Sequence, residues 1–360
     1  MIDFNNSISD VFFPYKIMLF PEIYSKLVSG EPTNPINIEI NLTNRCNHRC
    51  RWCTYGYLHQ NEDMLNVRVA KELLKSAKAT GVKSVTWTGG GEPTLHPQFL
   101  HLIEFAAELG YKQGLNTNGN KLSDPIINVL AKHFSYVRFS VDAGQNATHC
   151  YCHNVKNQFD NIIGNINHLC ACRNKFNTNL IIGYSFLIDE ANVNDIPLAV
   201  DIASKIGVNY IQFKPVVYYD KSNRQFNIPE FEAKIKTLLD AAQAKQTDSF
   251  KILVLQNKFE NIKLEDSHFG RTYKECVGCK VMASIGANGS VDICCAFKGM
   301  KKWSIGNVND QPFSSIWNSP RMREVINNID IKKCPPLCKS DEINRLIYFV
   351  RTYNLNKEFI

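Results

Sequence analysis

Three cysteines, Cys46, Cys50 and Cys53, lie in one stretch, Asn44-Arg45-Cys46-Asn47-His48-Arg49-Cys50-Arg51-Trp52-Cys53. Their spacing is Cys-x3-Cys-x2-Cys. Thiolates on one loop can hold the irons of a [4Fe–4S] cluster, because such clusters are ligated by cysteine sulfur. Three ligands for four irons leave one iron open to a cofactor or substrate. A structural zinc loop is the alternative for three cysteines taken alone.

A second group is Cys276, Cys279, Cys294, Cys295, Cys334 and Cys338. Cys276 is followed by twelve residues, Gly289, four residues and Cys294, and Cys334 precedes Cys338 by a three-residue gap. Thirteen cysteines in a chain with no basic-then-apolar leader argue for metal rather than for a secreted disulfide framework. Cys170 and Cys172 read as buried neutral thiols on a helix. Cys150 and Cys152 follow the fourth strand and receive no cluster.

The first loop, with Trp52 before its third cysteine, resembles the signature loop of the radical S-adenosylmethionine (SAM) superfamily. Three further stretches carry the resemblance: Thr88-Gly89-Gly90-Gly91-Glu92-Pro93, Asn116-Thr117-Asn118-Gly119, and Arg138-Phe139-Ser140-Val141-Asp142. It implies a [4Fe–4S] cluster on Cys46, Cys50 and Cys53 whose open iron chelates SAM. It implies reductive cleavage of SAM to a 5′-deoxyadenosyl radical that takes a hydrogen atom from substrate. Gly89, Gly90, Gly91 and Glu92 would hold the SAM amino group. Asn116 and Asn118 would face the adenosyl group, Ser140 the ribose, and Trp52 joins the cofactor-binding set. Asp142 and Lys214, at the mouths of the fourth and sixth strands, are candidate catalytic residues; a strand-end cap and an ion pair are their plain alternatives. His153 matches a position that is often histidine in the family, which implies a framework role. A flavodoxin- or ferredoxin-type electron donor is implied as partner.

Residues 270–340 resemble the auxiliary-cluster domains of the same superfamily, of SPASM or shorter twitch type. The cysteines are fewer than a full SPASM pattern uses, so a single auxiliary [4Fe–4S] cluster on Cys276, Cys294, Cys334 and Cys338 is expected. The closing pair is Cys-x3-Cys where the family usually has Cys-x2-Cys. Cys279 and Cys295 are spare, and either can replace a neighbour; Cys279 is also a candidate hydrogen-atom donor. A zinc site using Cys276-x2-Cys279 stays open.

Alternating elements must position these residues. Strands are expected at 36–42, 82–88, 112–116, 136–141, 180–188 and 210–215, with helices at 67–80, 97–109, 124–132, 159–173 and 193–205. Repeated strand–helix units imply a parallel sheet with right-handed crossovers. The fold class is α/β, a partial (β/α)6 TIM-type barrel over 35–225, as the resemblance implies. A helical extension over 1–34 precedes it, with helical spacing from Pro14 to Ser29. A connecting helix (229–244) and strand (251–256) lie in 226–269. The auxiliary domain is expected to contain a hairpin around Asn288-Gly289. A helical tail over 341–360 closes the chain.

The chain has 360 residues, is 44% hydrophobic and 21% charged, and carries a net charge of +7. That is an ordinary globular balance. No apolar run reaches the ~20 residues of a membrane helix, so a cytoplasmic protein is expected. The positive charge favours an anionic small molecule, whereas the scattered Lys and Arg argue against nucleic acid. The expected substrate is sugar- or nucleotide-like, undergoing dehydrogenation, dehydration or epimerisation. A maturase of a ribosomally made peptide is the second reading; the short extension before the barrel leaves little room for a peptide-recognition domain. A non-catalytic metal-binding scaffold is the third, and the intact Gly-Gly-Glu-Pro element argues against it.

Overall fold

The structure is a computed structural model that describes residues 15–216, 228–255, 258–259, 271–335 and 338–354. The chain forms two compact units. One comprises Ile40–Leu65 and Val85–Phe259; the other comprises Met1–Glu39, Asn66–Ser84 and Glu260–Ile360.

The first of these carries the strand–helix repeats. Its strands are the end of β1 (Asn37–Ile40), β2 (Ser84–Trp87), β3 (Lys112–Thr117), β4 (Phe134–Ser140), β5 (Ile181–Ile188), β6 (Tyr210–Pro215) and β7 (Lys251–Val254). β3 through β7 pair in chain order, and every one of those pairs is parallel. β7, the strand expected at 251–256, is thus a further parallel strand, with Tyr210 opposite Lys251. The expected end of that strand, Gln256, lies outside the described residues. β5 is buried along almost its whole length, as expected for a parallel strand covered on both faces.

Helices α3 (Phe99–Glu108), α4 (Asp124–His133), α6 (Phe159–Phe176), α7 (Ile196–Lys205) and α8 (Ile228–Gln243) fall where apolar periodicity places them. On α6, Ile162, Ile166, Leu169 and Cys170 are buried at three- and four-residue steps, one face of the helix. Cys172 is buried there too. The expected helix over 193–205 divides into a 3-10 turn (Val193–Asp195) and α7, which carries a proline in its first turn. Proline suits that position because the N–H it lacks has no partner there anyway. One helix of this unit was not anticipated: α5, Asn146–His153, just after β4.

In the other unit the strand order is β10-β9-β8-β1. β8 (Met282–Ile285) and β9 (Ser290–Asp292) form the expected hairpin, with Gly289 at φ +83°. β10 (Ser304–Asn307) adds a third antiparallel strand, with an irregular register between Ser304 and Gly306. The N-terminal helix is interrupted: a 3-10 turn (Lys16–Leu19) precedes α1 (Pro21–Ser29), and Pro21 opens the latter. Pro14 lies outside the described residues. α2 (Val67–Ala79) groups with this unit; the Ser314 N–H donates to Ser76 Oγ at 3.1 Å. The tail forms a helix over Asp341–Thr352, whose Ile347 packs with Leu27, Val277 and Val281. Among the described residues no helix is long and apolar enough to cross a membrane.

Candidate active site

β1 ends at Ile40, and the chain then loops through the first cysteine group. The loop is tied at its base, where the Asn44 N–H donates to Asp63 O and the Leu65 N–H to Leu42 O, both at 2.9 Å. Cys46, Cys50 and Cys53 are half-buried free thiols. Burial pushes the Cys46 thiol up to about 11, and neighbouring Cys53 adds to the rise. Cys50 is raised well above the ordinary range by burial, then by Cys53, Asp142 and Cys46. The three sulfurs thus sense one another, as the ligands of one cluster must. Without metal they are protonated, and ligation releases those protons.

The glycines after β2 also let the backbone approach the cysteine loop closely. A Cβ on Gly89 would lie 2.2 Å from Asn41 Oδ1, and one on Gly91 would lie 2.2 Å from Arg45 O and 2.5 Å from Thr43 O. Backbone of the cysteine loop fills that space. The Gly91 N–H donates to Thr43 O at 3.0 Å and the Glu92 N–H to Arg45 O at 2.9 Å. These bonds hold the glycine turn directly against the cysteine loop.

Glu92 is buried, and its carboxylate already has several donors. Oε1 accepts from the Thr94 hydroxyl at 2.8 Å and the Thr117 hydroxyl at 2.7 Å; Oε2 accepts the Asn118 N–H at 2.8 Å. Burial raises its pKa, and these bonds oppose the rise. Asn118 Nδ2 donates to Asn47 Oδ1 at 2.8 Å, and Asn47 Nδ2 donates to Asn120 Oδ1 at 2.9 Å. The end of β3 is thereby hooked to the cysteine loop from both sides.

Two buried acceptors, Asn116 Oδ1 and Gln212 Oε1, have no hydrogen-bond partner among the described residues. Buried polar atoms are nearly always paired. A polar ligand such as SAM supplies donors of the missing kind, so this donor–acceptor set, together with the three thiols, fits the cofactor pair.

Asp142 follows β4 with φ +54° and is 2% exposed. Its Oδ1 accepts the Leu187 N–H at 2.7 Å, and its carbonyl accepts Asn192 Nδ2 at 2.8 Å. Burial raises the Asp142 pKa; His153, the Leu187 N–H, Lys214 and Trp52 hold it back, in that order. The structure therefore brings four sequence candidates, Asp142, Lys214, Trp52 and His153, to one place. Ser140 ends β4 opposite Ser185.

Sequence reasoning missed a histidine group. His48, His149 and His153 are all buried, with their ligating atoms within 4.8 Å of one another. Burial pushes His48 down to about 3 and His149 to about 2, so both are neutral. The available signal was His149-x3-His153, an i,i+4 pair that shares a face once α5 is helical.

The second cysteine group also converges. Cys338 senses Cys276 and Cys334, Cys334 senses Cys276, and Cys294 senses Cys338. Cys295 borders Cys294 but also Glu39, Lys339 and Lys298. Cys279 is 4% exposed, and its thiol donates to Cys276 O at 3.0 Å. Asn344 Oδ1 accepts the N–H groups of Val277 and Gly278 at 2.9 and 2.8 Å, fixing the Cys276 turn to the C-terminal helix. Arg271 Nη1 donates to Cys334 O at 3.1 Å.

Comparison with known proteins agrees with this geometry. The chain matches the radical SAM superfamily over residues 40–194. It matches the SPASM family, an iron–sulfur cluster-binding domain, over residues 276–340. Fe-coproporphyrin III synthase of Methanosarcina barkeri is 24% identical over 296 residues, 77% of this chain and 72% of that protein. An S-adenosylmethionine-dependent nucleotide dehydratase of Selenomonas ruminantium is 28% identical over 109 residues, 29% of this chain and 39% of that protein. Among solved structures, Streptococcus suis SuiB bound to precursor peptide SuiA superposes with a TM-score of 0.64 at 18% identity, covering 88% of this chain and 72% of that one. That likeness is one of fold. A three-cysteine loop, its bracing glycine turn and a converging second cysteine group thus belong together: the chain is a radical SAM superfamily enzyme with a SPASM-type iron–sulfur domain, and its cofactors are a [4Fe–4S] cluster, SAM and auxiliary iron–sulfur.

Proposed function

We propose that the enzyme abstracts a hydrogen atom from a small anionic substrate of sugar- or nucleotide-like character. The observation that carries this reading is that the charge of Lys214 acts on buried Asp142 at the carboxyl ends of the barrel strands, in a chain of net charge +7. Ligands of such folds meet the sheet at those ends. A relative named as a nucleotide dehydratase supports the same substrate class.

When bound, the cluster and SAM supply the 5′-deoxyadenosyl radical. The rest of the chemistry falls to the chain. Cys46, Cys50 and Cys53 hold three irons. Gly89–Gly91 press the turn against the cysteine loop, and Glu92 locks that turn to β3, so the pocket floor is set before SAM arrives. Asn116 and Gln212 offer acceptors to the cofactor. Lys214 meets the substrate anion, with Asp142 placing its ammonium. Cys276, Cys294, Cys334 and Cys338 hold the auxiliary cluster, which their mutual electrostatic contact supports. In this reading the enclosed thiol of Cys279 shapes the auxiliary turn, which favours dehydrogenation or dehydration over thiol-assisted epimerisation. An acidic flavodoxin or ferredoxin is the electron donor.

The test is anaerobic incubation with reductant, SAM and a panel of nucleotides, phosphosugars and short peptides, following 5′-deoxyadenosine and product mass. The expected result is 5′-deoxyadenosine in step with a modified anionic small molecule, and a rise of KM well above that of kcat in Lys214→Ala. Turnover on a peptide with none on the small anions would overturn the reading.

A further inference from the structure

We propose that His48, His149 and His153 form a seat for a divalent transition-metal ion of the zinc class, with the Cys50 sulfur beside its fourth position. All three imidazoles are at most 1% exposed. Their candidate ligand atoms lie within 4.8 Å of one another. His48 Nδ1 and His153 Nδ1 are 3.4 Å apart. Two nitrogens about 2.0–2.1 Å from one tetrahedral zinc are separated by about that distance.

The orientation of His153 suits a ligand. Its Nε2 lies 2.9 Å from Val141 O, so that nitrogen carries the proton, and it is 3.5 Å from Asp142 Oδ2. Metal-bound imidazoles characteristically donate their other N–H to a carbonyl or carboxylate, which fixes the tautomer and aims the lone pair at the ion. The lone pair on Nδ1 then points toward His48 Nδ1 and toward Cys50 Sγ, 3.1 Å away.

Simple core packing is the competing explanation. His149 stacks on His153 with ring centroids 4.4 Å apart, and His48 meets both edge-on. Packing alone leaves both nitrogens of His149 buried with no hydrogen-bond partner among the described residues. Each such atom is costly, and apolar rings would fill the space without the loss. An ion takes up the His149 lone pair that packing leaves idle. Three nitrogens and one sulfur are a donor set for zinc, or for cobalt as its stand-in.

Cys50 is also a ligand of the SAM-binding cluster, so the seat and the cluster share a thiolate. The ion therefore belongs to the cluster-free protein: it holds Cys50 as thiolate until iron arrives, and the sulfur then passes from one cation to another with no change of oxidation state. This last step rests on the cluster assignment; the imidazole seat does not.

The experiment uses the full chain in its cluster-free form, stripped with chelator and titrated with Co2+ under argon. Wild type should bind one equivalent more than His149→Phe, and the difference spectrum should show tetrahedral d–d bands with weak sulfur charge transfer. The sulfur-rich auxiliary site contributes equally to both proteins and cancels. His149→Gln, with matching circular dichroism, repeats the comparison if the phenylalanine variant fails to fold. X-ray absorption of Zn2+-loaded wild type should show nitrogen in the first shell beside sulfur. Zinc-loaded wild type should also take up iron and sulfide several-fold more slowly than zinc-loaded His149→Phe. Equal Co2+ stoichiometry in wild type and folded variants, or an all-sulfur first shell, overturns the seat. Equal reconstitution rates overturn the shared-thiolate step alone. None of these readouts depends on SAM cleavage.

Discussion

Glu92 accepts the backbone N–H of Asn118 at 2.8 Å, so a carboxylate from the end of β2 caps the end of β3. Thr117 and Thr94 donate to the other oxygen of the same carboxylate. Glu92 is therefore a brace, and this role separates experimentally from the cofactor role proposed for it.

Glu92→Ala leaves buried donors unpaired, at about 1–3 kcal/mol for each. Cofactor-free Glu92→Ala should melt several degrees below wild type and bind SAM more weakly. Calorimetry of the protein without SAM decides the point, since wild-type melting with weakened SAM binding would leave only the cofactor role.

Replacing Cys46, Cys50 and Cys53 together by alanine should remove the share of iron that binds SAM and abolish 5′-deoxyadenosine formation. The auxiliary iron should remain. Iron counts and SAM cleavage after anaerobic reconstitution measure both, and undiminished cleavage would exclude the assignment.

Two glycines should respond in opposite directions. Gly91→Ala forces a Cβ to 2.2 Å from Arg45 O, a backbone atom that cannot step aside. It should destabilise the fold and disturb the cysteine loop. Gly164 lies inside α6 with nothing within 4 Å of an added Cβ. Gly164→Ala should stabilise by up to about 1 kcal/mol, the helix preference of alanine over glycine. Thermal melts of the two variants provide the comparison.

Asp341 gives the auxiliary unit an acid-sensitive contact. Burial acts to raise its pKa, but hydrogen bonds from Tyr273 at 2.6 Å and Arg345 at 2.9 Å hold it below the usual carboxylate range. A carboxyl whose pKa is lowered by folding adds stability above its unfolded value of about 3.9, and loses it as pH falls through the folded value. Wild type should thus lose stability on acidification below about pH 4 more steeply than Asp341→Asn. Denaturant melts of metal-free protein at pH 6 and pH 3 measure the slope; parallel behaviour of the two proteins would contradict it.

Both cysteine groups, the glycine turn and nearly every strand and helix between residues 36 and 215 are readable in the sequence. Local pattern suffices there, because thiol spacing along one loop and apolar periodicity within one element are properties of neighbouring residues. Three features lie beyond that reach. The close approach of Gly89 and Gly91 to Asn41, Thr43 and Arg45 is one, since only folding brings those residues near. Asp142 and Lys214 stand 72 positions apart in the sequence, and the charge of one reaches the other because β4, β5 and β6 lie side by side. His48 belongs to the cysteine loop and His149 and His153 to a helix that apolar periodicity did not signal. Sequence alone determined which cysteines could bind metal. The pairing of strands decided which of them share a site, because burial and hydrogen bonding act between residues that the chain itself keeps far apart.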